Sequence, residues 1–206
     1  MKISTSYFLR SNRISSLLSM GILLGTCTAS HSIASEPSSF LASLRGVHHL
    51  GPEYFINRFY IDQSIGDNID EGGGGGSVVC CLTLPQQWRP AISVDVRWKV
   101  HHIIKSTAPK LPDTAELEGI YHAQVPVEKY TKPGDLFVHF FPNGRVRVLV
   151  SGVASNSEEH PIRRGDKKAI QTATQGKAVK ALFTDQELAQ RLKMFDDNRK
   201  KYGDWR

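Results

Sequence analysis

From Ile92 to Val100 the chain reads ISVDVRWKV, with Ile92, Val94, Val96, Trp98 and Val100 on one side of the alternation and Ser93, Asp95, Arg97 and Lys99 on the other. Successive side chains of an extended chain point to opposite faces, so a period of two held over nine residues describes a strand with one buried and one wet face. A strand of that kind needs a second apolar layer to cover it. Neighbouring segments supply candidates. Tyr54–Ile61 is aromatic and β-branched, and Val78–Leu84 runs into Pro85. Asp135–Phe141 and Arg145–Val150 flank Pro142-Asn143-Gly144, and Asn-Gly between two β-rich runs is a strong hairpin signal. Short strands punctuated by turn residues at this spacing predict a mainly β domain over residues 46–162, an antiparallel β-sandwich or small barrel. No internal repeat is visible, and no alternation of strands with long helices suggests a nucleotide-binding fold.

The first residues bear on the compartment. Lys2, Arg10 and Arg13 form a basic n-region, and Ile14 to Thr26 is largely apolar and free of charge. That stretch is too short to span about 30 Å of hydrocarbon but suits a secretory signal over residues 1–34. Two cleavage sites compete. Leu24-Gly25-Thr26-Cys27 resembles a lipobox, with cleavage before Cys27 and acylation of that cysteine; Ser32-Ile33-Ala34 offers the small residues of an ordinary site, with cleavage after Ala34. Either leaves one domain of about 172 to 180 residues, enough to bury a core, and places the chain in the bacterial envelope on its periplasmic side. Residues 35–45 read as a linker.

Charge is unevenly placed. The formal charge is +6, yet residues 35–160 hold 11 basic and 14 acidic side chains, while residues 161–206 hold 12 basic and 6 acidic. A basic balance confined to a tail does not indicate nucleic acid as a partner. That tail, residues 163–206, differs in kind from the β-rich domain. Ser155–Gly176 is polar and glycine-containing, a loop or poorly ordered linker. Thr184-Asp185-Gln186-Glu187 fits a capping box and predicts a helix over about 184–201. Leu188, Leu192 and Phe195 follow at helical spacing, a narrow stripe expected to dock on its own domain, with a partner or a membrane surface as the alternative.

Catalytic and metal-binding patterns are thin. Gly72 to Gly76 form an unbroken run followed by SVVCCLTLP. Glycines permit close backbone approach, but the run lacks the Gly-Lys-Ser/Thr of a phosphate loop and precedes a strand instead of a helix. Gly72, Gly73, Gly74, Gly75 and Gly76 therefore read as a mobile connection or a partner-binding surface. Cys80 and Cys81 are adjacent. Strand neighbours face opposite sides, which argues for packed thiols over a vicinal disulfide. No spacing of Cys or His suits structural zinc, and neither a Gly-x-Ser-x-Gly elbow nor His-Glu-x-x-His is present. Histidines are numerous: His48, His49, His101, His102, His122, His139 and His160 lie downstream of the signal. His139, inside LFVHFF, reads as a packed or edge residue. These patterns predict no catalytic residue, no metal and no cofactor, with a hydrolase using the histidines as the least favoured reading.

Several motifs agree in order and spacing with one family. They are Asn57–Asp62 (NRFYID), Gly66-Asp67-Asn68-Ile69, the glycine run, Val79–Pro85, Trp88-Arg89-Pro90 and Val94–Trp98. Val127–Tyr130, Pro133–Phe140, Asn143-Gly144 and His160-Pro161 continue the series. The chain resembles the domain of unknown function family 3304, a group of proteobacterial envelope proteins, over roughly Gly46 to Ile162. The resemblance implies a small lipoprotein, with Cys27 as the lipidated residue and a membrane anchor. It further implies an immunity protein that neutralises a lipase-type effector of type VI secretion. An inhibitor needs a rigid exported scaffold and an interaction surface, and Trp88-Arg89 is the kind of pair that anchors interfaces, although a Trp closing the sandwich and an Arg paired with a carboxylate is the simpler role. The alternative is a structural or accessory envelope lipoprotein without a toxin partner.

Overall fold

The alternating segment lies in the central strand of one of two sheets. The computed structural model describes residues 39–62, 64–70, 79–108 and 110–203. Eleven strands occur there: β1 (Ser39–His48), β2 (Tyr54–Phe55), β3 (Phe59–Ile61), β4 (Ser64–Ile65), β5 (Val79–Pro85), β6 (Ser93–Ile104), β7 (Thr114–Pro126), β8 (Asp135–Phe141), β9 (Arg145–Ser151), β10 (Thr174–Gln175) and β11 (Lys177–Ala178). Two short 3-10 turns (Pro142–Gly144 and Ala169–Thr172) and one α-helix, α1 (Asp185–Tyr202), complete the described elements. The strands form two sheets, in the orders β10-β9-β8-β1-β5 and β11-β7-β6-β3-β4, with β2 also paired to β6.

Val94, Val96, Trp98 and Val100 of β6 face the first sheet and meet Ala42 and Leu44 of β1, Leu136, Val138 and Phe140 of β8, and Val146 and Val148 of β9. Trp98 is fully buried and lies 5.4 Å from both Tyr121 and Phe140, ring centre to ring centre. Burial of side chains this large supplies roughly 1.5–3 kcal/mol apiece, so this layer is the main source of stability. Close packing leaves no room at Gly66, where a Cβ would stand 2.1 Å from Cζ of Phe59.

The expected hairpin is present: β8 and β9 pair from Asp135 opposite Ser151 to Phe141 opposite Arg145. Asn143 (φ 61°) and Gly144 (φ 68°) take the left-handed conformations that Asn and Gly tolerate best. Four expectations need correction. Residues 35–45 are not simply a linker, because β1 begins at Ser39 and runs parallel to β8, Leu44 opposite Leu136 and His48 opposite Phe140. The sheet is therefore mixed. Tyr54–Ile61 is not one strand but two short ones, β2 and β3. Ser155–Gly176 is not a loose linker: it covers the outer face of the first sheet, where Ile162, Ala169 and Ala173 pack on Val47, Phe137, Phe141 and Leu149. A strand buried on both faces reads as a continuous apolar run, which explains LFVHFF in β8. Cys81, finally, is disulfide-bonded and not a packed thiol. The β1–β5 register shifts between Ala42 opposite Leu82 and Leu44 opposite Val79. This irregular pairing falls on the segment that carries the cysteines, where strict alternation of faces need not hold.

Candidate functional site

The wet face of β6 is where the chain attaches its helix. Arg97 donates from Nε to Asp95 Oδ1 at 2.7 Å, from Nη1 to the Leu182 carbonyl at 2.8 Å and from Nη2 to Glu187 Oε1 at 2.7 Å. Its guanidinium carbon also sits 4.8 Å from the centre of Phe183. Arg191 covers the same ring at 4.6 Å and Tyr60 at 5.4 Å, while Tyr60 meets Phe183 edge-on at 4.9 Å. Glu187 has two tasks. Its Oε2 accepts from the Thr184 amide at 2.7 Å, completing the capping box read from the sequence, and its Oε1 holds Arg97. The hydrogen bond to Arg97 holds the Glu187 carboxyl down at about 2, and the same pairing raises Arg97 above the ordinary guanidinium range.

This clamp orients α1 in an unexpected way. Glu187, Arg191 and Met194 are its half-buried positions, spaced i, i+4 and i+7, so they define the face turned to the body. Leu188, Leu192 and Phe195 lie about 100° further around the helix and are 44, 66 and 52 % exposed. The expected docking of that stripe on its own domain does not occur. Charge, aromatic stacking and the cap select the neighbouring face, and an apolar stripe is left pointing outward, with Arg199 beside it in an ion pair with Asp196 at 2.8 Å.

Of the expected partner-binding residues, Trp88 is half-buried against the main core and donates Nε1–H to the Val127 carbonyl at 2.9 Å. That is a closing role in the sandwich. Arg89 is exposed and lines a cleft of about 470 Å³ with Asp62, Leu84, Pro85 and Ile92. The pair does not act as a unit. Gly72–Gly76 and Cys27, with both cleavage sites, lie outside the described residues.

Sequence reasoning named the histidines singly and missed their assembly. His49 Nε2 is 2.9 Å from His139 Nδ1, His139 Nε2 is 3.1 Å from His160 Nε2, and His160 Nδ1 is 2.9 Å from the Val153 carbonyl. His139 and His160 are buried. Burial disfavours the imidazolium form and pushes His49 down to about 4 and His139 to about 2, with His48 and His160 also lowered. His139 uses its two nitrogens in opposite directions, and among the described residues no group of three His, Cys, Asp or Glu is placed to hold a metal. The residues that join this line are far apart in sequence, so no local spacing could have revealed it. His101 and His102 lie near the end of β6, stacked on Phe55 and Tyr54 respectively at 4.9 Å.

Among the described residues no helix is long and apolar enough to cross a membrane. No curated protein sequence and no solved structure matches the chain. One protein-family model does match, over residues 52–148. That interval carries the motifs from NRFYID to the Asn-Gly turn and runs from β2 into the first half of β9. Over these residues the chain matches DUF3304, a family described as proteins of unknown function.

Proposed function

We propose that this is an exported envelope protein that acts by binding, and that its partner is a secreted antibacterial effector of the lipase type, which it neutralises as an immunity protein. The observation that carries the binding half is the outward stripe of Leu188, Leu192 and Phe195 on a helix whose other side is clamped to the body. Apolar side chains at i, i+4 and i+7 are the usual anchors of a helix that enters a partner's groove. A clamp holding the helix before contact reduces the ordering cost of association. The effector half rests on the family resemblance, in which envelope proteins of this kind accompany type VI lipase effectors. Acylation of Cys27 would keep the protein at the membrane such an effector attacks.

The test is whether a lipase-like protein is encoded beside this one and, where it is, whether the two co-purify. A complex of nanomolar to micromolar affinity and growth inhibition of cells lacking the protein support the reading; no complex and no sensitisation to a sibling's effector refute it. A second reading, an accessory envelope lipoprotein with no toxin partner, draws on the basic balance of residues 161–206, which suits anionic headgroups. It predicts an envelope defect without attackers present.

A further inference from the structure

The line of histidines beneath the outer face of β8 has a direction, and one atom sets it. The Val153 carbonyl can only accept, so His160 Nδ1 carries a proton. Neutral His160 then presents a lone pair at Nε2, to which His139 Nε2 must donate. His139 is left with a lone pair at Nδ1 and accepts from His49 Nε2. The last member, His49, ends with its own lone pair at Nδ1. No hydrogen bond to that nitrogen occurs among the described residues, and it is not among the polar atoms sealed from solvent without a partner. It is an accessible acceptor held in one tautomer by three successive hydrogen bonds.

His49 forms one wall of a cleft of about 300 Å³, at the small end for ligand sites. Phe141, Pro142 and Ile170 give it an apolar lining, and Phe141 lies flat on the His49 ring at 4.6 Å and 8°. The charges around it favour an anion. Lys167 stands on the rim, and Arg164 acts electrostatically on both His48 and His49. Asp166 is the opposing carboxylate in the lining, and the neighbouring His48 and His160 are uncharged near neutrality.

We propose that this cleft binds a small organic acid with an apolar body, its carboxyl group at His49 Nδ1 and its body against Phe141 and Ile170. The proton balance is simple. A ligand arriving as the carboxylate is joined by one proton from solvent, which is shared between its oxygen and His49 Nδ1; no other bond forms or breaks. The adjacent anion stabilises that proton at His49, the partly exposed end of the line, because burial disfavours positive charge on His139 and His160.

Benzoate is a suitable probe and benzamide its uncharged isostere. Calorimetric titration of the full mature chain at pH 7, in two buffers of different ionisation heat, should show saturable benzoate binding with about one proton taken up and benzamide at least tenfold weaker. The ring ¹⁵N signals should place protons on His160 Nδ1, His139 Nε2 and His49 Nε2 before addition, with His49 Nδ1 moving most on binding. Lys167→Glu, at an exposed side chain that touches no core, should weaken benzoate about threefold and keep the proton uptake. His49→Gln should abolish that uptake. The proposal is overturned by the reverse tautomer pattern, by equal binding of benzamide, by binding without proton uptake, or by no saturation up to about 10 mM.

Discussion

Acidification from pH 7 to pH 5 should weaken the fold through its buried histidines. In the unfolded chain each imidazole titrates near 6.5, whereas burial holds His49 at about 4 and His139 at about 2. At pH 5 the unfolded state therefore binds nearly one proton more than the native state at each site. A base whose folded value is lowered contributes stability that is fully present above 6.5 and is lost as the pH falls toward the folded value. Linkage makes this about 1.4 kcal/mol per pH unit per proton, or about 1.8 kcal/mol for fully buried His139 between pH 7 and 5. His49 is partly exposed, and solvent screening reduces its share to about 1 kcal/mol. The total is about 3 kcal/mol, with His48 and His160 adding in the same direction. Carboxylates act in a lower window: Glu187, at about 2, releases its stabilisation only as the pH falls below the ordinary value of 4.5. Urea titrations monitored by tryptophan fluorescence at pH 7, 6 and 5 measure the effect. With a slope of about 2 kcal/mol/M the midpoint should drop by roughly 1.5 M at constant slope. His139→Leu should remove about one proton from the pH dependence, whatever it does to the absolute stability. A midpoint that is flat or rises between pH 7 and 5 would refute the reasoning.

Three further outcomes follow from the packing. Gly66→Ala drives a Cβ to 2.1 Å from Phe59 and should cost about 1–3 kcal/mol by overpacking, read as a lower thermal midpoint. Arg97→Ala removes the clamp on Glu187, Asp95 and the Leu182 carbonyl; amide exchange should accelerate across residues 183–203 while β6 and β8 stay protected. Trp88→Phe loses the bond to the Val127 carbonyl and should cost about 1 kcal/mol, while leaving affinity for a partner unchanged.

Legibility in the sequence followed locality. Ile92–Val100, the Asn143-Gly144 turn and the Thr184–Glu187 cap are each determined by residues within a few positions, and each was readable. β1 was not, because SFLASLRGVH alternates poorly and gains its place from a parallel partner some ninety residues away. β7 (TAELEGIYHAQVP) is rich in Ala, Glu and Gly, weak strand formers; twelve residue pairings with β6 override that preference. The helix is legible in the sequence, but its inward face is not. Apolarity pointed to Leu188, Leu192 and Phe195, whereas the ion pair of Arg97 with Glu187 and the stacking of Arg191 on Phe183 turned the neighbouring face inward. The histidine line combines residues from three separate parts of the chain, and only the pairing of β1 with β8 and the cover from residues 153–173 bring them together.

The central claim, that the outward face of α1 is a binding surface, meets its most direct test in one affinity comparison. Leu192→Glu changes a side chain that is 66 % exposed, so folding should be unaffected while affinity for the lipase-type effector proposed as its partner falls at least a hundredfold, in the range of interface hot spots. Equal affinity of the variant and the native chain, with the helix intact by circular dichroism, would contradict the claim.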